Sequence, residues 1–279
     1  MTNLIKTGWV CTVVVGTAVL AAAGCDLVNV ERLQAAQVDG TFERTLSVTG
    51  PVNLEIRTGA GDIAVRAGTD GSVHVTGRIK ARLPVSENPQ QRVDQIRANP
   101  PVTQSGNTMH IGPTGDEPLY QNVSISYEVV VPANAKIEAR SGSGNIGIAM
   151  NASGVEARTG SGDINVFGAS GGFTAQTGSG NVHAGRIAGA MKASTGSGNI
   201  DAMQTAPGPV QMQTGSGDIT LKLPEDAGFT VSVRTGSGSI TTTHPLSSSS
   251  RQRNRLDGSV RGGGAPVEIR TGSGDVRID

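Results

Sequence analysis

The sequence predicts an all-β fold: a solenoid-like stack of repeats of about 18 residues, preceded by an N-terminal β cap that contains one short helix. Three observations predict it. A hexapeptide of the form Thr/Ser-Gly-x-Gly-Asp/Asn/Ser-Ile/Val occurs eight times in 279 residues. Apolar residues alternate with polar ones on both sides of each copy, the period of a strand with one buried face. The composition sets 40 glycines against 3% aromatic residues. A core without large rings must be filled by small and β-branched side chains in closely approaching backbones, which suits short strands and tight turns.

The N-terminus comes first in the chain and has a separate logic. Lys6 precedes an apolar run over 9–23, which ends Ala22-Ala23-Gly24-Cys25. A positive start, a short apolar stretch and small residues at a cut site make an export signal over 1–24. The run is shorter than the roughly 20 residues that a spanning helix needs, which favours cleavage over retention. Cysteine directly after the small residues resembles a bacterial lipobox, with Ala22 standing where leucine is commoner. That resemblance implies acylation of Cys25 and a lipid-anchored linker over 25–40. The expected location is the cell envelope, on the periplasmic or outer face of a membrane. Both cysteines, Cys11 and Cys25, lie in this region, so the folded part has no intrachain disulfide to form.

Residues 41–136 read as the β cap. Val73, Val75, Ile79, Ala81 and Leu83 alternate, as do Val123, Ile125, Tyr127, Val129 and Val131. Between them the polar stretch 86–98, with Val93 and Ile96, predicts one short helix starting near Ser86. Residues 108–111 read as a further strand. A cap at this end would keep an open stack edge from pairing with other chains.

Residues 137–279 read as the solenoid. The hexapeptide starts at Thr58 and then at Ser141, Thr159, Thr177, Thr195, Thr214, Thr235 and Thr271. From Ser141 the steps are 18, 18, 18, 19, 21 and 36, the last being twice 18. Each unit is a strand, a glycine corner, a second strand and a looser return, because glycine allows the positive φ or close approach a sharp bend needs. One unit cannot bury its own apolar face, so units stack at about 4.8 Å. Two polar ladders follow. One carries hydroxyls at Thr58, Ser141, Thr159, Thr177, Thr195, Thr214, Thr235 and Thr271. The other carries Asp62, Asn145, Asp163, Asn181, Asn199, Asp218, Ser239 and Asp275. Both are expected to be wet, and whether the coil closes is open. Residues 245–264 break the period with a serine run and three arginines, and read as a flexible loop.

These Thr-Gly-Ser-Gly-Asp-Ile units, the Tyr127-Glu128-Val129-Val130-Val131-Pro132 strand before them and Leu223-Pro224 resemble the bacterial putative-adhesin family, a domain of unknown function. The resemblance covers roughly residues 40–279. It implies a right-handed β-helix-like fold and an envelope location, and it brings no catalytic residues.

Several chemistries are disfavoured by the pattern. Zero formal net charge and the lack of a basic stripe with aromatics argue against nucleic acid. No cofactor is expected. Gly142 to Gly147 spell a dinucleotide fingerprint by letter but lead into a strand, which is the wrong context. Calcium-binding nonapeptide repeats share the glycine-aspartate theme, yet a hard cation wants six to eight oxygens, and Asn or Ser replaces the acid in several rungs. Turn-backbone hydrogen bonding is the simpler role for these side chains. Asp163 and Asp218 stand three rungs apart, roughly 14 Å, too far for a hydrolytic pair.

The reading that results is a non-enzymatic, adhesin-like envelope lipoprotein with a binding or scaffolding surface. Its expected partners are a cell-wall or surface polymer, another envelope protein, or a second copy through an exposed edge. Two alternatives remain: a β-helix lyase or hydrolase of surface glycan, marked by acids clustered with an arginine, and a calcium-rigidified spacer.

Overall fold

The computed structural model describes residues 36–69, 71–83, 88–115 and 117–279. The export signal, Cys25 and most of the predicted linker lie outside the described residues. In chain order the elements begin with β1 (Ala36–Ser47), β2 (Asn53–Ala60), β3 (Ile63–Gly68), β4 (Ser72–Leu83) and the helix α1 (Pro89–Ala98). Next come β5 (Val102–Ser105), β6 (Thr108–Ile111) and β7 (Val123–Pro132). Paired strands follow: β8 (Lys136–Ser143) with β9 (Ile146–Ala152), β10 (Gly154–Ser161) with β11 (Ile164–Ala169), and β12 (Phe173–Ser179) with β13 (Val182–Ala188). The pairs continue as β14 (Met191–Ser197) with β15 (Ile200–Ala206), β16 (Val210–Ser216) with β17 (Ile219–Lys222), and β18 (Phe229–Ser237) with β19 (Ile240–Thr242). A hairpin of β20 (Ser247–Gln252) and β21 (Arg255–Val260) precedes the last pair, β22 (Ala265–Ser273) and β23 (Val276–Ile278).

The second strand of every pair joins an 11-stranded sheet I, ordered β1-β4-β7-β3-β9-β11-β13-β15-β17-β23-β19. The first strand joins a 12-stranded sheet II, ordered β20-β21-β18-β22-β16-β14-β12-β10-β8-β2-β6-β5. All-β solenoid stacking is therefore the architecture. The inner faces of the two sheets hold the core. On sheet I, Ile63, Ile146, Ile164, Val182, Ile200, Ile219, Val276 and Ile240 form one file in direct register, all buried. On sheet II, Ala139, Ala157, Ala175 and Ala193 form a second file beside the bulkier Ile137, Val155, Phe173 and Met191. Burying each such aliphatic side chain contributes about 1.5–3 kcal/mol, which explains how so few aromatics suffice.

The coil closes at both corners. At the glycine corner, Gly162 N donates to Ser179 O (3.0 Å) and Gly180 N to Ser197 O (3.0 Å). At the return corner, Ser153 N donates to Ala135 O (3.0 Å) and Ser170 N to Ala152 O (2.8 Å). The two glycines of the hexapeptide have distinct duties. Gly162 has φ +155°, and a Cβ there would lie 2.3 Å from Gly144 O of the neighbouring rung. Gly160 needs only space, since its Cβ would meet Gly142 O at 2.5 Å.

The cap departs from its predicted bounds in two places. The Thr58 hexapeptide, placed in the cap by sequence, is a true rung, because β2 pairs with β8 and β3 with β9, both parallel. β1 begins at Ala36, inside the predicted linker, and pairs antiparallel with β4 along its length. The helix starts three residues after Ser86. Asn88 caps it by accepting from Gln91 N (3.1 Å), and Pro89 takes the first helical position, where its missing N–H costs nothing. Val93 and Ile96 are fully buried, Val93 against Gly40 of β1, so α1 covers the sheet I strands that outreach sheet II.

At the other end the stack is not in sequence order. The C-terminal pair β22/β23 lies between β16/β17 and β18/β19. The 36-residue step between Thr235 and Thr271 is thus one rung taken backwards, not two rungs forward. The expected flexible loop at 245–264 is instead the β20–β21 hairpin, which adds antiparallel to β18 and ends sheet II with a short, serine-rich strand carrying a bulge. Such an edge discourages pairing with further strands.

Candidate binding faces

The hydroxyl ladder, expected to be wet, is buried. Its eight Thr and Ser residues are between 2 and 8% exposed. Each hydroxyl ends an inward-facing strand position and donates to a corner carbonyl of the neighbouring rung. Thr159 donates to Gly144 O, Thr177 to Gly162 O, Thr195 to Gly180 O and Thr214 to Gly198 O, all at 2.9 Å. Ser141 donates to Gly61 O, Thr271 to Gly217 O and Thr235 to Gly274 O, all at 3.0 Å. Thr58, on the first rung, finds Ile125 O at 2.8 Å instead. The position is polar because a buried carbonyl at a kinked corner needs a donor. It offers no surface to a partner.

The Asp/Asn ladder is exposed or half-buried, and its inner oxygens are occupied. Asp62 Oδ1 accepts from Asn145 N (2.8 Å), Asn145 from Asp163 N (2.9 Å), Asp163 from Asn181 N (2.7 Å) and Asn181 from Asn199 N (2.9 Å). Asn199 accepts from Asp218 N (2.9 Å), Asp218 from Asp275 N (2.8 Å) and Asp275 from Ser239 N (2.7 Å). The amide and hydroxyl of Ser239 together hold the Asp275 carboxyl below its ordinary range. Ser239 sits on the terminal rung, where no further amide needs an acceptor, so a side chain without a carbonyl is tolerated there. At the opposite end Ser126 Oγ of β7 supplies the acceptor for Asp62 N (3.1 Å). Among the described residues no group of three or more His, Cys, Asp or Glu is placed to hold a metal.

The outer face of sheet II carries a row of ion pairs. Arg140 and Arg158 share a rung position, and so do Glu138 and Glu156 two residues before them. Arg140 bridges Glu138 (2.8 Å) and Glu156 (3.3 Å), Arg158 pairs with Glu156 (2.5 Å), and Arg57 reaches Glu138 (3.8 Å) and Glu55 (4.0 Å). His110 Nδ1 closes the row on Glu55 (3.0 Å). Every carboxylate in this row is engaged by a cation, and the row lies on an open sheet face.

The outer face of sheet I is different. Phe167 and Met203 are the exposed large hydrophobic residues of the described chain, at 54 and 37%. They stand on β11 and β15, either side of Gly185 on β13. The Phe167 ring lies over Gly185, where a Cβ would come within 2.9 Å of its Cδ2. The Arg186 guanidinium sits 5.5 Å from the ring centroid. The floor continues at Ala149, and a column of Ala64, Gly147, Asn165, His183, Asp201 and Thr220 runs beside it in register. His183 and Asp201 approach to 3.3 Å. The concavity encloses about 770 Å³. The signal was in the sequence: Phe167 is out of phase with the inward Ile164 and Val166, so alternation alone points it at solvent.

A structure of a putative cell adhesion protein from Clostridium sporogenes shares 13% identity with this chain, covers 86% of it and 99% of itself, and has a TM-score of 0.37. A putative adhesin from Bacteroides fragilis gives 13% identity, 86 and 97% coverage and a TM-score of 0.39. A putative lipid binding protein from Parabacteroides distasonis gives 9%, 86 and 96%, and 0.29. No curated protein matches the chain. The described helix is too short and too polar to cross a membrane. Residues 173–279, from β12 to the C-terminus, match the Toastrack DUF4097 family model.

Proposed function

We propose that the protein is a non-enzymatic, adhesin-like component of the bacterial envelope, anchored through acylated Cys25, and that it holds its partner on the outer face of sheet I. One observation carries the reading. Phe167 and Met203 are exposed on one sheet face with a single strand between them, at positions where the other rungs carry small or charged residues. Exposed apolar side chains clustered in a concavity mark interaction sites more often than isolated ones do. The two polar ladders, in contrast, are consumed by the fold.

The test uses full-length protein extracted from envelopes. Mass spectrometry of its mature N-terminus is expected to find a diacyl- or triacyl-modified Cys25. Phe167→Ser with Met203→Ser is expected to abolish retention on isolated envelope fractions without lowering the melting temperature. Undiminished retention would remove the face from consideration, and unmodified protein in the cytosol would remove the location.

One observation favours a second reading, glycan cleavage, because Glu138 and Glu156 stand with Arg140 on one face. General acid chemistry needs a carboxyl free to hold a proton, and arginine pairing opposes that. Turnover of any surface glycan, lost in Glu156→Gln, would establish it.

A further inference from the structure

We infer that the sheet I face is built for a linear anionic glycan, a polymer with carboxylates spaced along it, lying along the stack axis from β3 to β17. This inference rests on the proposed function and names the ligand class of the same face. Four features of the face carry it.

The first is periodicity. From β3 to β17 the face spans five strand spacings, about 24 Å. Over that length one column offers a hydrogen-bonding side chain on each of four successive rungs, Asn165, His183, Asp201 and Thr220. A surface repeating at each strand matches a ligand that repeats at each ring, since a pyranose is about as long as a rung is high.

The second is the floor. The neighbouring column runs Ala149, Phe167, Gly185 and Met203, and Ala149 and Gly185 add only a methyl group and backbone to it. A sugar ring offers a flat face of C–H groups to an aromatic ring and hydroxyls at its rim. Those two surfaces match the apolar column and the polar column beside it.

The third is charge. Arg186 and Lys222 are exposed and have no carboxylate partner among the described residues, whereas Asp201 faces His183 and Arg66 faces Glu128 (3.8 Å). Arg186 and Lys222 stand on strands two spacings apart, about 10 Å. Acids on separate units of one polymer can meet both.

The fourth is the backbone of Arg186. It lies at φ +58° in a bulge, where the β13–β15 register shifts between Ala184 and Ile187. L residues other than Asn and Asp rarely adopt that conformation, and bulges re-aim side chains. Here the bulge brings the guanidinium over the ring of Phe167 instead of leaving it one residue out of phase.

The experiment compares retention of the full-length protein on an immobilised linear polyuronate oligosaccharide and on a neutral linear glucan of equal length. Binding to the polyuronate is expected to exceed binding to the glucan at least tenfold and to fall with added salt. Lys222→Gln and Arg186→Gln are each expected to weaken it several-fold at unchanged melting temperature, and Arg186→Lys to restore most of it. If Arg186→Gln fails to fold, Lys222→Gln alone decides. Equal retention on both glycans, no retention on either, or indifference to Lys222→Gln overturns the inference. If polyuronate fails while Phe167→Ser with Met203→Ser still abolishes envelope retention, the face is a binding site for another class, such as a protein, and only the ligand assignment falls.

Discussion

Gly264 passes so close to Gly228 that a Cβ on Gly264 would lie 2.1 Å from the Gly228 carbonyl oxygen. This is where the chain leaves the hairpin on one side of β18 and returns to the stack on its other side. Residues 261–264 make the crossing, every one at positive φ: Arg261 at 49°, Gly262 at 83°, Gly263 at 93° and Gly264 at 159°. Gly264→Ala is expected to cost about 2–3 kcal/mol, because conformational strain and a backbone clash add. Gly262→Ala, with nothing within 4 Å of its Cβ, is expected to cost about 1 kcal/mol from φ alone. Urea denaturation of the two variants checks the order; equal costs would place the crossing elsewhere.

The same insertion makes the C-terminal rung a keystone. Among the described residues β18 and β19 have no stacking partner except β22 and β23 and the hairpin itself. Loosening β22 by Ile269→Ala, a fully buried site, is expected to cost about 3 kcal/mol. Stacked repeats lose stability locally, so hydrogen exchange over 229–260 is expected to accelerate together with 265–279. Exchange over 137–182 is expected to stay slow. Uniform acceleration along the stack would show one cooperative unit instead.

Much of this fold was legible because a stacked repeat writes its register into the sequence. Period-two alternation at Val155, Ala157 and Thr159 and at Ile164 and Val166 set which side chains face inward, and a constant 18-residue step set which ones touch. The stack order was not legible from spacing, since a reversed rung and a skipped rung give the same 36-residue interval. It was legible from chemistry. Ser239 alone lacks a side-chain carbonyl in its ladder, and that deficiency fits only a terminal rung. The burial of the threonines was not legible, because a hydroxyl looks solvated until the corner carbonyl it satisfies is in view. The hairpin at 245–264 carries no apolar alternation beyond Leu256 and Val260, so its pairing with β18 was invisible. The exposed apolar face of sheet I is hidden for the opposite reason: Phe167 departs from the repeat, and only its phase against Ile164 and Val166 points it at solvent.

The two ladders should differ in their energetic weight. Thr195→Val keeps the shape and leaves the Gly180 carbonyl without its hydroxyl partner at a buried corner, at an expected cost of about 1–2 kcal/mol. Asn199→Ala removes the acceptor for the Asp218 amide at an exposed site that water reaches, at an expected cost of about 0.5 kcal/mol. Thr195→Ser is expected to lie closer to the native protein than Thr195→Val. Thermal unfolding of the three variants measures this, and a costlier Asn199→Ala would mean that the exposed ladder holds the corner.

Acid behaviour at the end of the stack follows from Asp275. Its carboxyl is held below the ordinary 3.8, first by the Ser239 amide and then by the Ser239 hydroxyl. A carboxyl depressed in the folded state favours folding at pH above its unfolded value. That contribution fades as pH falls below 3.8 and is gone once pH passes below the folded midpoint. Carboxyl-carbon NMR titration is therefore expected to place the Asp275 midpoint below 3.8 in the native protein. Ser239→Ala deletes only the weaker donor, so the midpoint is expected to rise part of the way and remain depressed. A full return to 3.8 in Ser239→Ala would assign the effect to the hydroxyl and mean that the backbone link between β19 and β23 at this corner is not formed in solution.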